Sequence, residues 1–393
     1  MMLHRHLGTV VVVFFFLHSF MYFYMYICKG SVLHHLSTPF ILYGVAGTSI
    51  FAVMLLSANR IFRAWSYRLF YAIHIVAAAI LLPLLFFHGR YMRIYLIECI
   101  IIYGINSILR LWATRRVSAT INTVRTSHST LLDIRIPMTD HTQIWHPGQY
   151  ALISTRGNPM SRLTGSTPLT IASLASDSEE LRLMARVRNG RTKSLAKLDS
   201  DISYKFNLEG PYGSQDHISE LLRCRKILLI AGGVGGTFIL PIYRQLLKDF
   251  VARPKKHHLT MHWIARSSLD IAWAVEARNL QEPGFKDNLR VHITQGVPDA
   301  NRSPDDNSDG DAYTDEKSPS FEAINDPLLM LESSFGRPCI EQMIADTFCE
   351  EHGGCTAIVV CGPSKLITHV RKETSAWVRK GRQCYWIAEK FES

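Results

Sequence analysis

Lys226-Ile-Leu-Leu-Ile-Ala-Gly-Gly-Val-Gly-Gly-Thr-Phe238 decides the fold of the C-terminal part of this chain of 393 residues. The apolar run 226–231 reads as a buried strand, and Gly232, Gly233, Gly235 and Gly236 turn it into a helix running through Phe250. Glycines let a backbone approach a pyrophosphate, and the start of a helix, here at Thr237, aims amide donors at it. Such a turn also serves plain packing of helix on strand, so the neighbouring strands must add to the case. The next one, 259–264, ends at Ala265-Arg266-Ser267. That places a cation and a hydroxyl where a nucleotide ribose projects, which suits a 2′-phosphate; a solvated loop arginine is the alternative. A further apolar strand, 357–360, ends in Cys361-Gly362-Pro363-Ser364, at the strand edge where open α/β sheets bind ligands. The stretch 299–319 is acidic and nearly free of large apolar residues. It reads as a disordered insertion.

Upstream, residues 118–213 favour short strands. The runs 118–124, 131–136, 150–154 and 181–187 are β-branched or alternating and are separated by Pro, Gly and Asn turns, as in a compact antiparallel barrel. Three motifs stand in it: His146-Pro-Gly-Gln-Tyr150, Thr167-Pro168-Leu169-Thr170-Ile171-Ala172-Ser173, and Gly190-Arg191-Thr192 preceded by Arg186 and Arg188.

Before residue 113 the composition changes. Apolar runs at 7–28, 39–58, 69–88 and 92–112 approach or exceed the roughly 20 helical residues that cross a bilayer. The first is too long and too rich in Phe and Tyr for a signal peptide. Arg60, Arg63 and Arg68 flank the same side as Arg110, Arg115 and Arg116, which makes that side cytoplasmic. The net charge of +10 comes partly from this collar, so no nucleic-acid partner is needed to explain it. Eight cysteines without a C-x-x-C pair suggest neither a disulfide framework nor a zinc site.

Four histidines form two matched pairs in these helices. His4 and His18 lie on the first, His74 and His88 on the third, each pair 14 residues apart. That spacing puts both rings on nearly one face about 21 Å apart. Helices one and three run the same way, so His4 comes level with His74, and His18 with His88. Two level pairs are what two stacked bis-histidine haems require. Any single one of them reads as an interfacial histidine; the repeated spacing argues against that for all four. Glu98 in the fourth helix has no assigned role.

With these residues in place the chain resembles the ferric reductase and NADPH oxidase superfamily, nearest to fungal ferric-chelate reductases. The resemblance implies a multi-domain fold: a transmembrane haem-binding bundle (1–113), an FAD-binding antiparallel β-barrel (114–216) and an α/β NADPH-binding domain (217–393), ferredoxin reductase-like. His4, Gly8 and His18 look like the family's first haem helix, and His74 with His88 the second. Pro168 and Thr170 match its flavin motif, whereas Thr167 and Leu169 replace His and Phe. Flavin contact is therefore expected through Thr170 and the Ile171 backbone, beside Tyr150. Gly190 and Thr192 match the family's segment near the FAD pyrophosphate, with Arg191 replacing its aromatic, and Arg186 just before it is expected to bind the cofactor too. Gly210-Pro211-Tyr212-Gly213 matches the turn closing that domain. The glycine turn, Gly336-Arg337-Pro338 and Cys361-Gly362-Pro363 match NADPH motifs, with Cys361 beside the nicotinamide and Phe391 over the flavin ring.

The implied activity is an NADPH-dependent ferric-chelate reductase of the plasma membrane, using FAD and two haems b to reduce a ferric or cupric chelate across the bilayer. Superoxide formation is the rival activity, and an inactive truncated membrane flavoprotein the rival of another class. The family has two more helices before the first haem helix, where this chain has Met1. A short form or truncated gene model is the expectation, with a partner chain supplying the missing cover.

Overall fold

In a computed structural model of the chain, the described residues are 2–125, 130–138, 144–155, 166–177, 180–188, 191–200, 202–252, 257–274, 277–295, 331–349 and 354–391. Gly190 and the insertion 299–319 lie outside them. The chain divides into two compact units, Met1–Leu111 and Trp112–Ser393.

The first unit holds four long helices: α1 (Met2–Cys28), α2 (Pro39–Ser57), α3 (Tyr67–His88) and α4 (Met92–Ala113). Each contains a span of 19 to 26 residues long and apolar enough to cross a membrane. Pro39 starts α2 at a position where its missing N–H costs nothing. Ser66 caps α3 by accepting the Leu69 N–H at 3.4 Å. Large apolar side chains such as Val10, Phe14, Phe20, Ile94 and Ile102 are exposed, as lipid-facing residues must be. α2 and α3 pack along one another, and Gly44 of α2 permits the close approach: a Cβ there would lie 2.6 Å from His88 Nδ1 at the end of α3.

The second unit begins with a closed antiparallel barrel, in spatial order β1-β2-β5-β4-β3-β6. Its strands are β1 (Arg115–Arg125), β2 (Thr130–Pro137), β3 (Tyr150–Thr155), β4 (Thr167–Ile171), β5 (Glu180–Arg186) and β6 (Tyr204–Tyr212). Ile121, Leu132, Ile134, Ile153, Leu169, Leu183, Phe206 and Leu208 fill its interior. The alternate residues Tyr150, Pro168 and Thr170 therefore stand on the outer wall. The sequence reading anticipated four of these strands. β4 coincides with the Thr167 motif, and Pro168 disguises it. Gly210, Pro211 and Tyr212, expected as a turn, are instead the last three residues of β6. Gly210 sits there at φ 121°, which only glycine adopts readily.

A parallel sheet follows, ordered β10-β9-β8-β7-β11-β12. It comprises β7 (Lys226–Gly232), β8 (His258–Ala265), β9 (Leu289–Ile293), β10 (Glu332–Phe335), β11 (Thr356–Gly362) and β12 (Cys384–Lys390). Helices α5 (Gly236–Ala252), α6 (Ile340–Cys349) and α7 (Ser364–Arg379) accompany it. Both faces of the central strands are buried: Leu229, Ala231 and Val359 on one side with α5, and Leu228, Ile230 and Val360 on the other with α6. Continuous apolar strands are the signature of such two-sided burial. The core on the α5 side also takes in Leu131, Ala172 and Met184 of the barrel, so barrel and sheet share one apolar seam.

Candidate functional site: the glycine turn, the flavin wall and the histidine pairs

The glycines after β7 divide their labour. Gly233 has φ 55°, and a Cβ there would meet nothing within 4 Å. Its requirement is conformational, and the space in front of it is open. Gly235 is different: a Cβ would lie 2.7 Å from the Cys361 carbonyl carbon. On Gly236 it would come within 2.6 Å of the Trp263 indole, and on Gly232 within 2.8 Å of Leu366. Gly235 and Gly236 draw the start of α5 down onto the sheet, and Gly232 makes room for Pro363 and Leu366 where β11 passes into α7. Trp263 Nε1 donates to the Gly233 carbonyl at 2.9 Å and fixes the turn. The result is a helix N-terminus with its amides aimed at open space, a ready anion site. Thr237 does not add a free hydroxyl; it is buried and donates to the Val234 carbonyl at 2.9 Å.

Arg266 is exposed immediately past β8, and its carbonyl accepts the Gln295 N–H at 2.9 Å. Gly336 (φ 102°) donates its N–H to the Ile293 carbonyl at 2.8 Å. Arg337 and Pro338 thereby reach the same carboxyl edge, lining a cleft with His292, Ser334, Gln342 and Asp346. Cys361 is fully buried between Ala231 and Glu389 of the flanking strands. Burial, and then the Glu389 charge, push its thiol far above the ordinary range. Its side chain belongs to the core, leaving Gly362 and exposed Pro363 at the edge. The Phe391 N–H donates to the Gly362 carbonyl at 3.3 Å, which puts this aromatic residue beside the Cys361-Gly362-Pro363 turn.

On the barrel wall Tyr150 pairs in register with Thr170 on one side and Tyr212 on the other. The two tyrosine rings are 5.8 Å apart, and Tyr212 donates its hydroxyl to Glu209 at 2.5 Å. Tyr212 was missed as a site residue, although it stands in the quoted Gly210 motif. The Ile171 N–H is already given to the Gln149 carbonyl at 3.0 Å and its side chain fills the barrel, so Thr170 carries the outward face. Arg186 ends β5 half-buried. The Thr192 hydroxyl accepts the Arg188 N–H at 2.8 Å and shapes its own loop. Gly148, two residues before Tyr150, approaches Phe238 in the first turn of α5: its Cβ would lie 3.3 Å from that ring. Flavin wall and glycine turn therefore meet.

A buried ionic cluster ties the two parts together. Arg244 of α5 donates to Asp177 after β4 at 3.0 Å and to Glu282 at 2.9 Å, and Lys248 reaches Asp177 at 2.8 Å. Burial pushes the Asp177 carboxyl up, but the Lys248 hydrogen bond and the Arg244 charge outweigh it and hold it below the usual range. No sequence signal marks this cluster, whose bonded partners are 38 to 71 residues apart.

In the first unit the histidines meet as the spacing predicts. The His4 and His74 ring centroids are 6.3 Å apart, and those of His18 and His88 are 6.4 Å apart. His88 Nδ1 is 2.7 Å from the Phe40 carbonyl. A carbonyl only accepts, so Nδ1 is the donor and Nε2 is the nitrogen left for another partner. Among the described residues no group of three or more His, Cys, Asp or Glu could hold a metal ion by itself.

Three family models match in succession: the ferric reductase like transmembrane component over residues 1–85, an FAD-binding domain over 116–216 and the ferric reductase NAD binding domain over 224–375. A probable metalloreductase (AIM14) of Meyerozyma guilliermondii is 26% identical, covering 96% of this chain and 73% of its own. Ferric reductase transmembrane component 4 of Saccharomyces cerevisiae is 24% identical over 95% of this chain and 54% of its own. Ferric/cupric reductase transmembrane component 2 of that yeast is 25% identical over 85% and 47%. The chain thus spans about half the length of both yeast relatives. The barrel is an FAD-binding domain and the parallel sheet a nicotinamide-nucleotide-binding domain. With four helices long and apolar enough to cross a membrane ahead of them, the chain is an integral membrane protein that carries, in order, the transmembrane, FAD-binding and NAD-binding domains found in ferric reductases.

Proposed function

We propose that this chain carries electrons from NADPH through FAD and two haems b across the plasma membrane to a ferric or cupric chelate. The observation that carries the reading is the pair of facing imidazoles, found twice, in a chain that also holds a flavin wall and a nucleotide turn. An iron between two imidazoles, each nitrogen about 2 Å away and each ring reaching about 1 Å further to its centre, needs centroids roughly 6 Å apart. The observed 6.3 and 6.4 Å fit. A porphyrin supplies the other four donors, so no larger cluster of side chains is required.

The chain's own residues have separable tasks. Amides of Gly233–Gly236 would hold the NADPH pyrophosphate, and Arg266 its 2′-phosphate, with Arg337 and Pro338 further along the same edge. Gly362 and Pro363 would shape the nicotinamide seat. Buried Cys361 sets the course of that strand end rather than offering a thiolate, because a thiol raised so far stays protonated. Phe391, beside the Cys361-Gly362-Pro363 turn, would cover the isoalloxazine ring. Tyr150, Thr170, Tyr212 and Pro168 would bear on the isoalloxazine side, and Arg186, Gly190 and Thr192 on the FAD pyrophosphate. His4 with His74 and His18 with His88 would hold the two haems through their imidazole nitrogens. FAD supplies conversion of a two-electron hydride into single electrons, and haem iron the one-electron stations between the two faces.

Arg60, Arg63 and Arg68 on one connection and Arg115 and Arg116 after α4 support a cytoplasmic position for the soluble unit. The names of the relatives, metalloreductase and ferric/cupric reductase, favour metal chelates over oxygen as acceptor. Sealed membrane vesicles test this directly. NADPH on the flavin side should drive formation of a coloured ferrous chelate on the other. Reduction that superoxide dismutase abolishes would move the assignment to an oxidase.

A further inference from the structure

α2 carries none of the four paired histidines, yet two turns of it touch His88 and the neighbour of His18. Gly44 is where the His88 imidazole sits: a Cβ on this glycine would lie 2.6 Å from His88 Nδ1 and closer still to Cε1. One turn earlier on the same helix, the Phe40 carbonyl receives the Nδ1 proton at 2.7 Å. One turn later, Thr48 donates its hydroxyl to the Gly44 carbonyl at 2.9 Å. The Thr48 hydroxyl also lies 3.1 Å from that of Ser19 in α1, the residue next to His18. Among the described residues the first pair has no such seat: His74 Nδ1 is buried there without a hydrogen-bond partner.

We infer that Gly44 is a positioning residue for the His18/His88 haem, its bare backbone forming the notch that aims His88 Nε2 at the iron. This rests on the haem reading above and deepens it. Nδ1 bound to a carbonyl leaves only one nitrogen for a metal, fixes the ring's rotation and raises its basicity. Without the notch the ring cannot reach Phe40, because α2 backbone lies behind it and cannot retreat. Gly47, on the same helix, is the control. Its Cβ would make only an ordinary 3.7 Å contact with Leu81.

The test uses the full chain in detergent, assayed for haem per FAD, for haem midpoint potentials and for the low-spin electron paramagnetic resonance signals. Gly44→Ala should lose one of two haems, halving the haem-to-FAD ratio, or keep it with a shifted potential and altered signal. The other haem and the flavin should remain as in wild type, which shows that the variant folds. Gly47→Ala should leave both haems unchanged. Two unaltered haems in Gly44→Ala, or equal damage from Gly47→Ala, would overturn the assignment while leaving the haem reading intact. Wild-type chain without any low-spin haem would remove both.

Discussion

Replacing Arg244 by Met should loosen the joint between barrel and sheet far more than replacing its more exposed neighbour Lys248. Arg244 is 6% exposed and shares its guanidinium between Asp177 and Glu282, which are 7% and 15% exposed. Breaking a buried ion pair from one side typically costs about 3–5 kcal/mol, because the remaining charge is left without its partner. Lys248 stays within 2.8 Å of Asp177 and 3.7 Å of Glu282, so the lower end applies, about 3 kcal/mol. For a unit of this size that is a fall of about 6–12 °C in melting temperature. Flavin fluorescence released on heating the purified chain reads it out. Lys248→Met is the comparison: that lysine is 36% exposed, and its loss should cost no more than about 1 kcal/mol. A shift for Arg244→Met no larger than that for Lys248→Met would refute the claim that the buried guanidinium holds the two parts together.

Arg266→Ala should weaken NADPH use selectively, by about 10- to 100-fold, for a charge-assisted bond of about 1.5–3 kcal/mol; steady-state kinetics with NADPH and NADH would show an equal loss with both if Arg266 only shapes the loop. Acid should destabilise the nucleotide domain through His262, whose Nδ1 lies 3.0 Å from His292 Nε2. Burial, then the charges of His292 and Arg290, lower it to about 4, so the folded state resists a proton that the unfolded chain takes up near pH 6.5. Stability is therefore full above about pH 6.5 and falls as pH drops towards 4, by at most about 2–3 kcal/mol. His262→Leu should flatten that limb in melts recorded across the window, and an unchanged slope would assign the acid sensitivity elsewhere.

Much of this was legible because the signals are local. Hydropathy alone marks α1 to α4, and the 14-residue repeat marks both histidine pairs. The run before Gly232 and the glycines after it give β7 and α5. What escaped the sequence is of two kinds. β4 and β6 contain Pro168 and Pro211, residues that argue against strands, although the alternation of Phe206 and Leu208 with polar neighbours was there to be read. The Arg244 cluster, the Tyr150–Tyr212 contact and the Gly44–His88 notch join residues 38 to 71 apart. Such meetings depend on how the elements pack, which no local pattern encodes. Thr237 and Cys361 show the converse: both sit in the expected motif, and both are spent on packing.

The claim that two histidine pairs hold haem is tested most directly by the reduced-minus-oxidised spectrum of membranes containing this chain, with NADPH as the only reductant. The account predicts low-spin bis-histidine haem b bands that appear on adding NADPH. His18→Ala and His88→Ala should diminish the bands and abolish reduction across the membrane, while NADPH oxidation by the flavin domain with an artificial acceptor continues. Wild-type membranes with flavin but without bis-histidine haem absorbance would contradict it.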